Sequence, residues 1–252
     1  MSEDLRISVI TVCMNAAATI RRTLDSMLMQ TYDGPVEYII KDGGSDDGTL
    51  DIAESYVERF AARGFDYRIV SSPDRGIYDA MNQGIDLSHG DLIGIINADD
   101  MYEKRCLEIV AAKFKETGFD LCYGDIRMIL PSGNTFIKKA RLRKYTTSRD
   151  WNHPSQFVRR EIYDKYRYRC LNISDDMDLY FAVKKSGAKI VVINELLADF
   201  TMGGVSSTIP LKEIPERVAR RYEVYRHNGY SKVYIIECVI FEVIKYLGAK
   251  FG

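Results

Sequence analysis

A chain of 252 residues with 46% hydrophobic content is long enough for one large domain with a substantial core, and it needs no covalent staples. Its 35 Lys and Arg nearly cancel 36 Asp and Glu, and a formal charge of -1 excludes the broad positive field that gathers nucleic acid. Cys13, Cys106, Cys122, Cys170 and Cys238 are dispersed and odd in number, without CxxC or Cys/His spacing, which argues against a disulfide framework and suits a reducing cytoplasm.

The opening MSEDLR runs straight into ISVITVCM, with neither the basic segment nor the cleavage site of an export signal. That first apolar run, residues 6–14, predicts a strand buried on both faces. Apolar residues at helical spacing follow from Ala17 to Met29, then a second strand over 36–42, VEYIIKD. Ser45, with Asp46 and Asp47, makes an N-cap and acidic first turn for a helix over LDIAESYVERF. A third strand is expected over 67–72, a short helix from Gly76 to Leu87, a fourth strand over 92–98 and a longer helix from Glu103 to Glu116. Strand and helix alternating through short connections imply parallel pairing by right-handed crossovers, so the fold class is α/β with a doubly wound, mostly parallel sheet. Ligands of such sheets bind beyond the carboxyl ends of the strands.

The second half is less regular. DLCYGDIRMILPSGNTFIKK predicts a hairpin turned at Pro131 to Asn134, and basic loop sequence then runs to Trp151. A helix over Asp175 to Lys185 and a strand KIVVIN come next, and after Pro210 the chain reads as helical to its end. No apolar run reaches the roughly 18 residues of a membrane-spanning helix.

Four sets of residues follow the four parallel strands: Asn15; Asp42 with Gly43 and Gly44; Asp74, Arg75 and Gly76; then Asn97, Asp99 and Asp100. All converge on one rim. Carboxylates crowded there repel an anion unless a hard divalent cation such as Mg²⁺ or Mn²⁺ bridges them to a diphosphate. Asp99 and Asp100 also read as caps of the next helix, and Asp42-Gly43-Gly44 as a tight turn. The first strand leads into CMNAAAT, so no GxGxxG dinucleotide fingerprint is present.

ISVITVCMNAAATIRRTLDSMLMQTY, YIIKDGGSDDGT, SSPDRGIYDAMNQGI and GDLIGIINADD, in this order, resemble the inverting family 2 glycosyltransferases of GT-A fold, above all bacterial enzymes of capsule, exopolysaccharide or O-antigen assembly. The resemblance covers residues 1–115 strongly, with islands to about residue 207. It implies a Rossmann-like GT-A domain over 1–209, with a nucleotide-sugar-binding half (1–115) and an acceptor and catalytic-base half (116–209), and a C-terminal helical extension over 210–252. By the same resemblance Asp42 contacts the nucleotide base, with Thr11 and Asn15 lining its pocket, while Asp74, Arg75 and Gly76 lie against the nucleotide and Asn82 shapes their loop. The family's Asp-x-Asp metal motif falls on Asn97-Ala98-Asp99, followed by Asp100. An amide therefore replaces the first acid: Asn97 can still hydrogen-bond a ribose hydroxyl, and the metal depends on Asp99, with Asp100 as an alternate or additional ligand.

ISDDMDLYF resembles the family's Glu-Asp pair, with Asp175 in place of the Glu and Asp176 matching the catalytic base. Inverting transfer needs one such carboxylate opposite the leaving group, to take the acceptor hydroxyl proton. Asp175 and Asp178 also read as acids favouring a helix dipole. In HPSQF, His153 is a candidate for orienting the acceptor or touching a phosphate, or a structural hydrogen-bonder. Trp151 reads as a sugar-stacking platform or a core residue, and Gly203 and Gly204 as flexible backbone near a phosphate or an ordinary turn.

On a helical wheel Ile235, Ile236, Val239, Ile240, Val243, Ile244 and Leu247 share one side, and Glu237, Glu242 and Lys245 the other. Such a helix docks on its own domain, on a partner subunit or on a membrane interface. The expectation is thus a cytoplasmic glycosyltransferase, free or peripheral on the inner face of the plasma membrane. It is metal-dependent (Mn²⁺ or Mg²⁺), with a nucleotide sugar, UDP leading, as donor and a glycan or glycolipid as acceptor. No nucleic acid partner is expected; a membrane surface through residues 233–252 and a homo-oligomer stay open. The alternatives are a non-catalytic nucleotide-sugar-binding or scaffold subunit and, against its missing Gly- and Arg-containing first loop, a sugar nucleotidyltransferase.

Overall fold

The computed structural model describes residues 5–203 and 211–251. β1 (Ile7–Cys13) and β2 (Val36–Asp42) are buried along their whole length, as their near-continuous apolar sequence requires of strands covered on both faces. Between them α1 (Ile20–Leu28) buries Ile20, Leu24 and Met27, one stripe at helical spacing. The helix begins three residues later than its pattern suggests, after a turn tied to the loop following β2 by the Ala16 and Ala17 N–H groups, which donate to Thr49 Oγ1 (2.8 Å) and Asp47 (2.9 Å).

The helix expected after Ser45 is two short ones, α2 (Thr49–Glu54) and α3 (Val57–Ala62). Ser45 does not cap it. Gly48, left-handed at φ 90°, precedes α2, and Asp47 accepts from the Thr49 N–H. β3 (Asp66–Ser71), α4 (Ile77–Leu87), β4 (Leu92–Asn97), the two-residue β5 (Met101–Tyr102) and α5 (Cys106–Thr117) complete the first half. α4 lies so close to β1 that a Cβ on Gly84 would come within 2.5 Å of Ile10.

β6 (Leu121–Ile129) and β7 (Thr135–Lys138) form the expected hairpin. A 3₁₀ turn (His153–Ser155), β8 (Phe157–Arg159), α6 (Arg160–Tyr163), α7 (Asp175–Lys185) and β9 (Ile190–Thr201) follow. A second 3₁₀ turn (Leu211–Glu213) leads into α8 (Ile214–His227) and α9 (Tyr234–Phe251). One sheet runs β3-β2-β1-β4-β8-β6-β9-β5, with β7 beside β6. Its first four strands are parallel, and β8 enters antiparallel to β4. The expected parallel half is therefore extended by a mixed second half within one continuous sheet. Cys13 stands opposite Asp42, Val12 opposite Asn97 and Asp42 opposite Ser71, so the carboxyl ends of these strands align as one rim.

Aromatic packing and buried ionic groups fasten the C-terminal helices. Tyr225 stacks on Tyr234 (4.4 Å between centroids) and packs on Phe181 of α7, while buried Asp178 accepts from His227 Nδ1 (2.9 Å) and Asn228 (2.7 Å). Asp178 thus anchors α8. α9 docks by its polar edge: Glu237 accepts from Tyr225 and Thr147, and Glu242 is buried between Arg217 and Arg221. The apolar side expected to drive docking faces outward, with exposures of 37% to 58% from Ile235 to Ile244. No helix among the described residues is long and apolar enough to cross a membrane.

Candidate functional site

The rim is built on a buried lysine. Lys41, fully enclosed at the end of β2, donates to the carbonyls of Asp42 and Ser72 (2.7 Å each) and stands 3.6 Å from Asp74. It ties the loops after β2 and β3 together. Sequence reading passed over it, although a lysine inside VEYIIKD is itself a signal, since a buried charge persists only when paired and hydrogen-bonded. Asp74 in turn accepts from Gly76 N–H (2.9 Å), and a Cβ on Gly43 would lie 2.6 Å from its carboxylate, so any other residue there would displace Asp74. Arg75 is exposed and pairs with Asp79, and Gly76 adopts φ 116° at the start of α4.

Asp42 is buried, and its carboxylate accepts from the Gly44 and Ser45 N–H groups (2.9 and 3.0 Å) and from the hydroxyls of Ser45 and Ser71. Burial raises its pKa, but these hydrogen bonds outweigh burial and hold it below the ordinary carboxylate range. A carboxylate so engaged organises the glycine turn at the end of β2. Asn15, left-handed at φ 52°, braces the same turn, its side chain accepting from Asp46 N–H and its own N–H donating to Ser45. Two expected pocket residues lie elsewhere. Thr11 is wholly buried in mid-strand, 3.0 Å from the Tyr38 hydroxyl, because the pleat turns it into the core. Asn82 clamps the segment before α7, donating to Tyr168 O and accepting from Tyr168 N–H, so it shapes that segment and not the loop of Asp74.

At the end of β4, Asn97, Asp99 and Asp100 come together. Asp100 is almost wholly buried; one oxygen accepts from Thr201 N–H (3.0 Å), while the other, like Asn97 Oδ1, has no hydrogen-bond partner among the described residues. Burial raises the Asp99 pKa; burial and then the neighbouring Asp99 charge raise that of Asp100 well above the usual range. Orphaned, crowded oxygens of this kind suit a hard divalent cation, which would supply the missing partner. Among the described residues no group of three or more His, Cys, Asp or Glu assembles, so a cation here would draw further oxygens from substrate and water. Arg22, another residue missed by motif reading, reaches this loop from α1, donating to Asp99 O (3.2 Å) and Thr201 Oγ1 (3.5 Å).

A cleft of about 740 Å³ opens beside this rim, lined by Asp176, Ser174, His153, Trp151, Phe200 and residues of α8 and α9. Phe200 precedes Thr201, whose backbone holds Asp100, so the cleft and the β4 acids share one strand. Asp176 is half-buried in the first turn of α7, and one oxygen accepts from the Met177 N–H (2.7 Å). Tyr78, at the start of α4, donates to Ile173 O (2.9 Å) and bridges the Asp74 loop to the Asp176 turn. Its phenol is pushed well above the usual range by burial, with the Asp176 charge adding to it. His153 lies 3.1 Å from the Tyr168 hydroxyl, and burial lowers its pKa against the opposing charge of Asp176. The imidazole is thus neutral near pH 7 and able to receive or relay a hydrogen bond.

The other acceptor-side candidates resolve differently. Asp175 is buried and accepts from Leu171 and Asn172 N–H, which makes it a brace for the preceding loop, not a wall of the cleft. Trp151 is a core residue with only an edge in the cleft: its ring stacks flat on Tyr180 (4.9 Å, 6°) and its indole N–H donates to Gln156. Gly203 has φ 142°, a conformation that favours glycine, and Gly204 falls outside the described residues.

Residues 8–186 match the family described as glycosyl transferase family 2. A PGL/p-HBAD biosynthesis glycosyltransferase of Mycobacterium bovis is 34% identical over 223 residues, which are 84% of this chain and 83% of that protein. Glycosyltransferase AglE of Haloferax volcanii is 29% identical over 134 residues, 53% of this chain and 43% of the relative. Among solved structures, TarS 1-349 of S. aureus in complex with UDP-GlcNAc covers 97% of this chain, and 73% of that chain is matched, at TM-score 0.67 and 17% identity. The mannosyltransferase PcManGT of Pyrobaculum calidifontis, in complex with GDP-Man and Mn²⁺, covers 100% of this chain and is itself matched over 77%, at TM-score 0.65 and 14% identity.

Proposed function

This chain belongs to glycosyl transferase family 2, and from that premise we propose that it is an inverting, metal-dependent enzyme using Asp176 as its base. The observation that carries the reading is the position of Asp176: a carboxylate at a helix start, lining, with His153, a cleft large enough for a sugar acceptor. In this reading residues 1–115 take the donor, residues 116–209 the acceptor, and residues 210–252 are a C-terminal helical extension whose α8 and α9 line one side of the cleft. Asp176 removes the proton of the acceptor hydroxyl as that oxygen attacks the anomeric carbon and the nucleoside diphosphate departs. Asp99, with Asp100 beside it, would hold a divalent cation, which when bound neutralises the leaving diphosphate. Asn97 and Arg22 serve the ribose and phosphates, and Lys41 with Asp74 fixes the loops against which the nucleotide rests.

The donor is a nucleotide sugar, with UDP leading and GDP and dTDP open; fold neighbours are in complex with UDP-GlcNAc and with GDP-Man. The acceptor is a glycan or glycolipid of the cell envelope; the mycobacterial relative is named for PGL/p-HBAD biosynthesis. The outward apolar face of α9 supports attachment to a membrane surface on the cytoplasmic side. Asn97 in place of the family's acid keeps a non-catalytic nucleotide-sugar binder as the rival reading.

One experiment separates the two. A nucleoside diphosphate that binds only the folded state raises the melting temperature by mass action. A panel of UDP, GDP, dTDP and CMP, each with Mn²⁺, Mg²⁺ or EDTA, should give one diphosphate that stabilises only with metal. The matching nucleotide sugars should then turn over, and Asp176→Asn should lower turnover by about 10²- to 10⁴-fold while leaving the thermal shift intact. Stabilisation without turnover selects the rival; no shift at ligand well above millimolar removes the donor-site reading.

A further inference from the structure

α4 joins the donor loop to the segment that carries Asp176. Its inner face buries Ala80, Met81, Gly84 and Ile85, and at Gly84 the helix lies hard against β1. Two further rows repeat every four positions, so each shares one side of the helix. Asp79 and Gln83 hold the donor loop: Asp79 accepts from the N–H and the guanidinium of Arg75 (3.0 Å each), and Gln83 accepts from Ser72 Oγ (3.2 Å).

Tyr78, Asn82 and Asp86 hold the segment that leads into α7. Asp86 pairs with Arg167 (2.8 Å), and Asn82 takes both the carbonyl and the N–H of Tyr168 (2.8 and 3.2 Å). The Tyr78 hydroxyl donates to Ile173 O (2.9 Å) while its ring stacks on Tyr168 (5.3 Å between centroids, 25°). The Asp86–Arg167 pair is solvent-exposed and adds little, so the hold rests on Asn82 and Tyr78.

The far end of this hold is the proposed base. Ile173 stands three residues before Asp176, and both line the cleft. Ser174 gives α7 no side-chain cap; the loop before it is tied internally, by Asp175 to the Leu171 and Asn172 N–H groups, and to α4 by Tyr78. Tyr168, stacked on Tyr78, also reaches His153 (3.1 Å) on the same cleft. Burial, with the Asp176 charge adding to it, raises the Tyr78 pKa well above the usual range, so the phenol keeps its proton and its donor role near neutrality.

We infer that Tyr78 is a positioning residue for transfer: through Ile173 O it sets where the Asp176 carboxylate stands relative to the donor loop carried by the same helix. This deepens the reading of Asp176 as the base and rests on it. A displacement of about 1 Å in a reacting group can cost on the order of 10²-fold in rate. In this role Tyr78 acts on the rate of transfer and leaves donor affinity alone.

The test uses the full chain with the metal chosen in the panel above and the nucleotide sugar it selects. Water and methyl glucoside serve as acceptors: the acceptor oxygen attacks the anomeric carbon, Asp176 takes its proton, and the nucleoside diphosphate leaves with the electrons of the broken bond. Release of diphosphate gives kcat and the donor KM. Tyr78→Phe deletes only the hydroxyl and keeps the ring on Tyr168, so kcat should fall about tenfold or more while the donor KM stays within about twofold. In the Asp176→Asn background the same substitution should change the residual rate by less than about twofold, because the group it positions is gone. A merely structural tyrosine would lower the rate in both backgrounds alike. Asn82→Ala, which frees the other end of the segment, should repeat the pattern and takes the place of Tyr78→Phe if that variant does not fold. A kcat within about twofold of the parent, a rise in donor KM that accounts for the loss, or an equal loss in both backgrounds overturns the inference while Asp176 keeps its role. Full turnover by Asp176→Asn, or a parent that binds nucleotide without turnover, removes the base reading itself and is seen before Tyr78 is changed.

Discussion

Lys41→Met would test whether the donor rim is held from below. The lysine is wholly buried and donates two charge-assisted hydrogen bonds, to Asp42 O and Ser72 O, beside its 3.6 Å pairing with Asp74. Asp42 O keeps a second partner in Ser72 N–H (3.0 Å), so the uncompensated losses are Ser72 O and the Asp74 carboxylate. Charge-assisted bonds contribute roughly 1.5–3 kcal/mol each, and a buried methionine returns about 1–2 kcal/mol. The net cost is about 3 kcal/mol, which at roughly 2–4 °C per kcal/mol lowers the melting temperature by about 6–12 °C. Because both tethered loops carry nucleotide contacts in the proposed function, affinity for the preferred diphosphate should fall about tenfold or more. Thermal unfolding and calorimetric titration measure the two effects. A melting temperature within about 2 °C of the parent, with unchanged nucleotide affinity, would refute the account of Lys41 as the rim's support. Lys41→Met with Asp74→Asn should recover part of the stability, since the stranded carboxylate is then gone.

Other outcomes follow from the same structure. Asp99, the less buried of the β4 pair, should be the principal metal ligand: Asp99→Asn should remove the metal-dependent part of the nucleotide thermal shift, and Asp100→Asn should retain some of it. The reverse order would transfer that role to Asp100. Glu37 is buried; burial raises its pKa, but hydrogen bonds from Ser8 and His89 and the Arg68 charge outweigh this and set it below the ordinary 4.5. Its stabilisation is therefore full above pH 4.5 and is lost as pH falls through the lower folded value, so Glu37→Gln should flatten the acid-unfolding profile in that window. An unchanged profile would exclude Glu37 as a source of acid lability. Ile236 and Ile240 are 58% and 46% exposed on α9, and replacing both with Glu should abolish flotation with anionic liposomes without lowering the melting temperature. If the parent does not float but sediments as a dimer that the substitutions dissociate, the face belongs to a second copy.

Four β-branched runs in strict alternation with helical patterns left little freedom, and the parallel pairing of β1 through β4 follows from them, while their order β3-β2-β1-β4 is seen only in the structure. Because side chains after consecutive parallel strands fall at the same edge, the grouping of Asn15, Asp42, Asp74 and Asp99 could also be derived before any coordinates. Local composition further determined the β6–β7 turn and the extent of α7, whose start needs only acids in its first turn.

What local pattern could not reach was which of two chemically equivalent residues faces the ligand. Asp175 and Asp176 are adjacent acids, yet only the second lines the cleft, because the backbone of residues 171 and 172 folds back onto the first. Thr11 and Asn82 carry hydrogen-bonding groups as suitable as those of Asn15, but long-range partners, Tyr38 and Tyr168, consume them. α9 makes the same point at larger scale. Its wheel is amphipathic in either setting, and only the arrival of Arg217, Arg221, Thr147 and Tyr225 decided that the polar edge would be buried. Sequence periodicity fixes which residues share a face, whereas the direction in which that face points is set by partners distant in the chain.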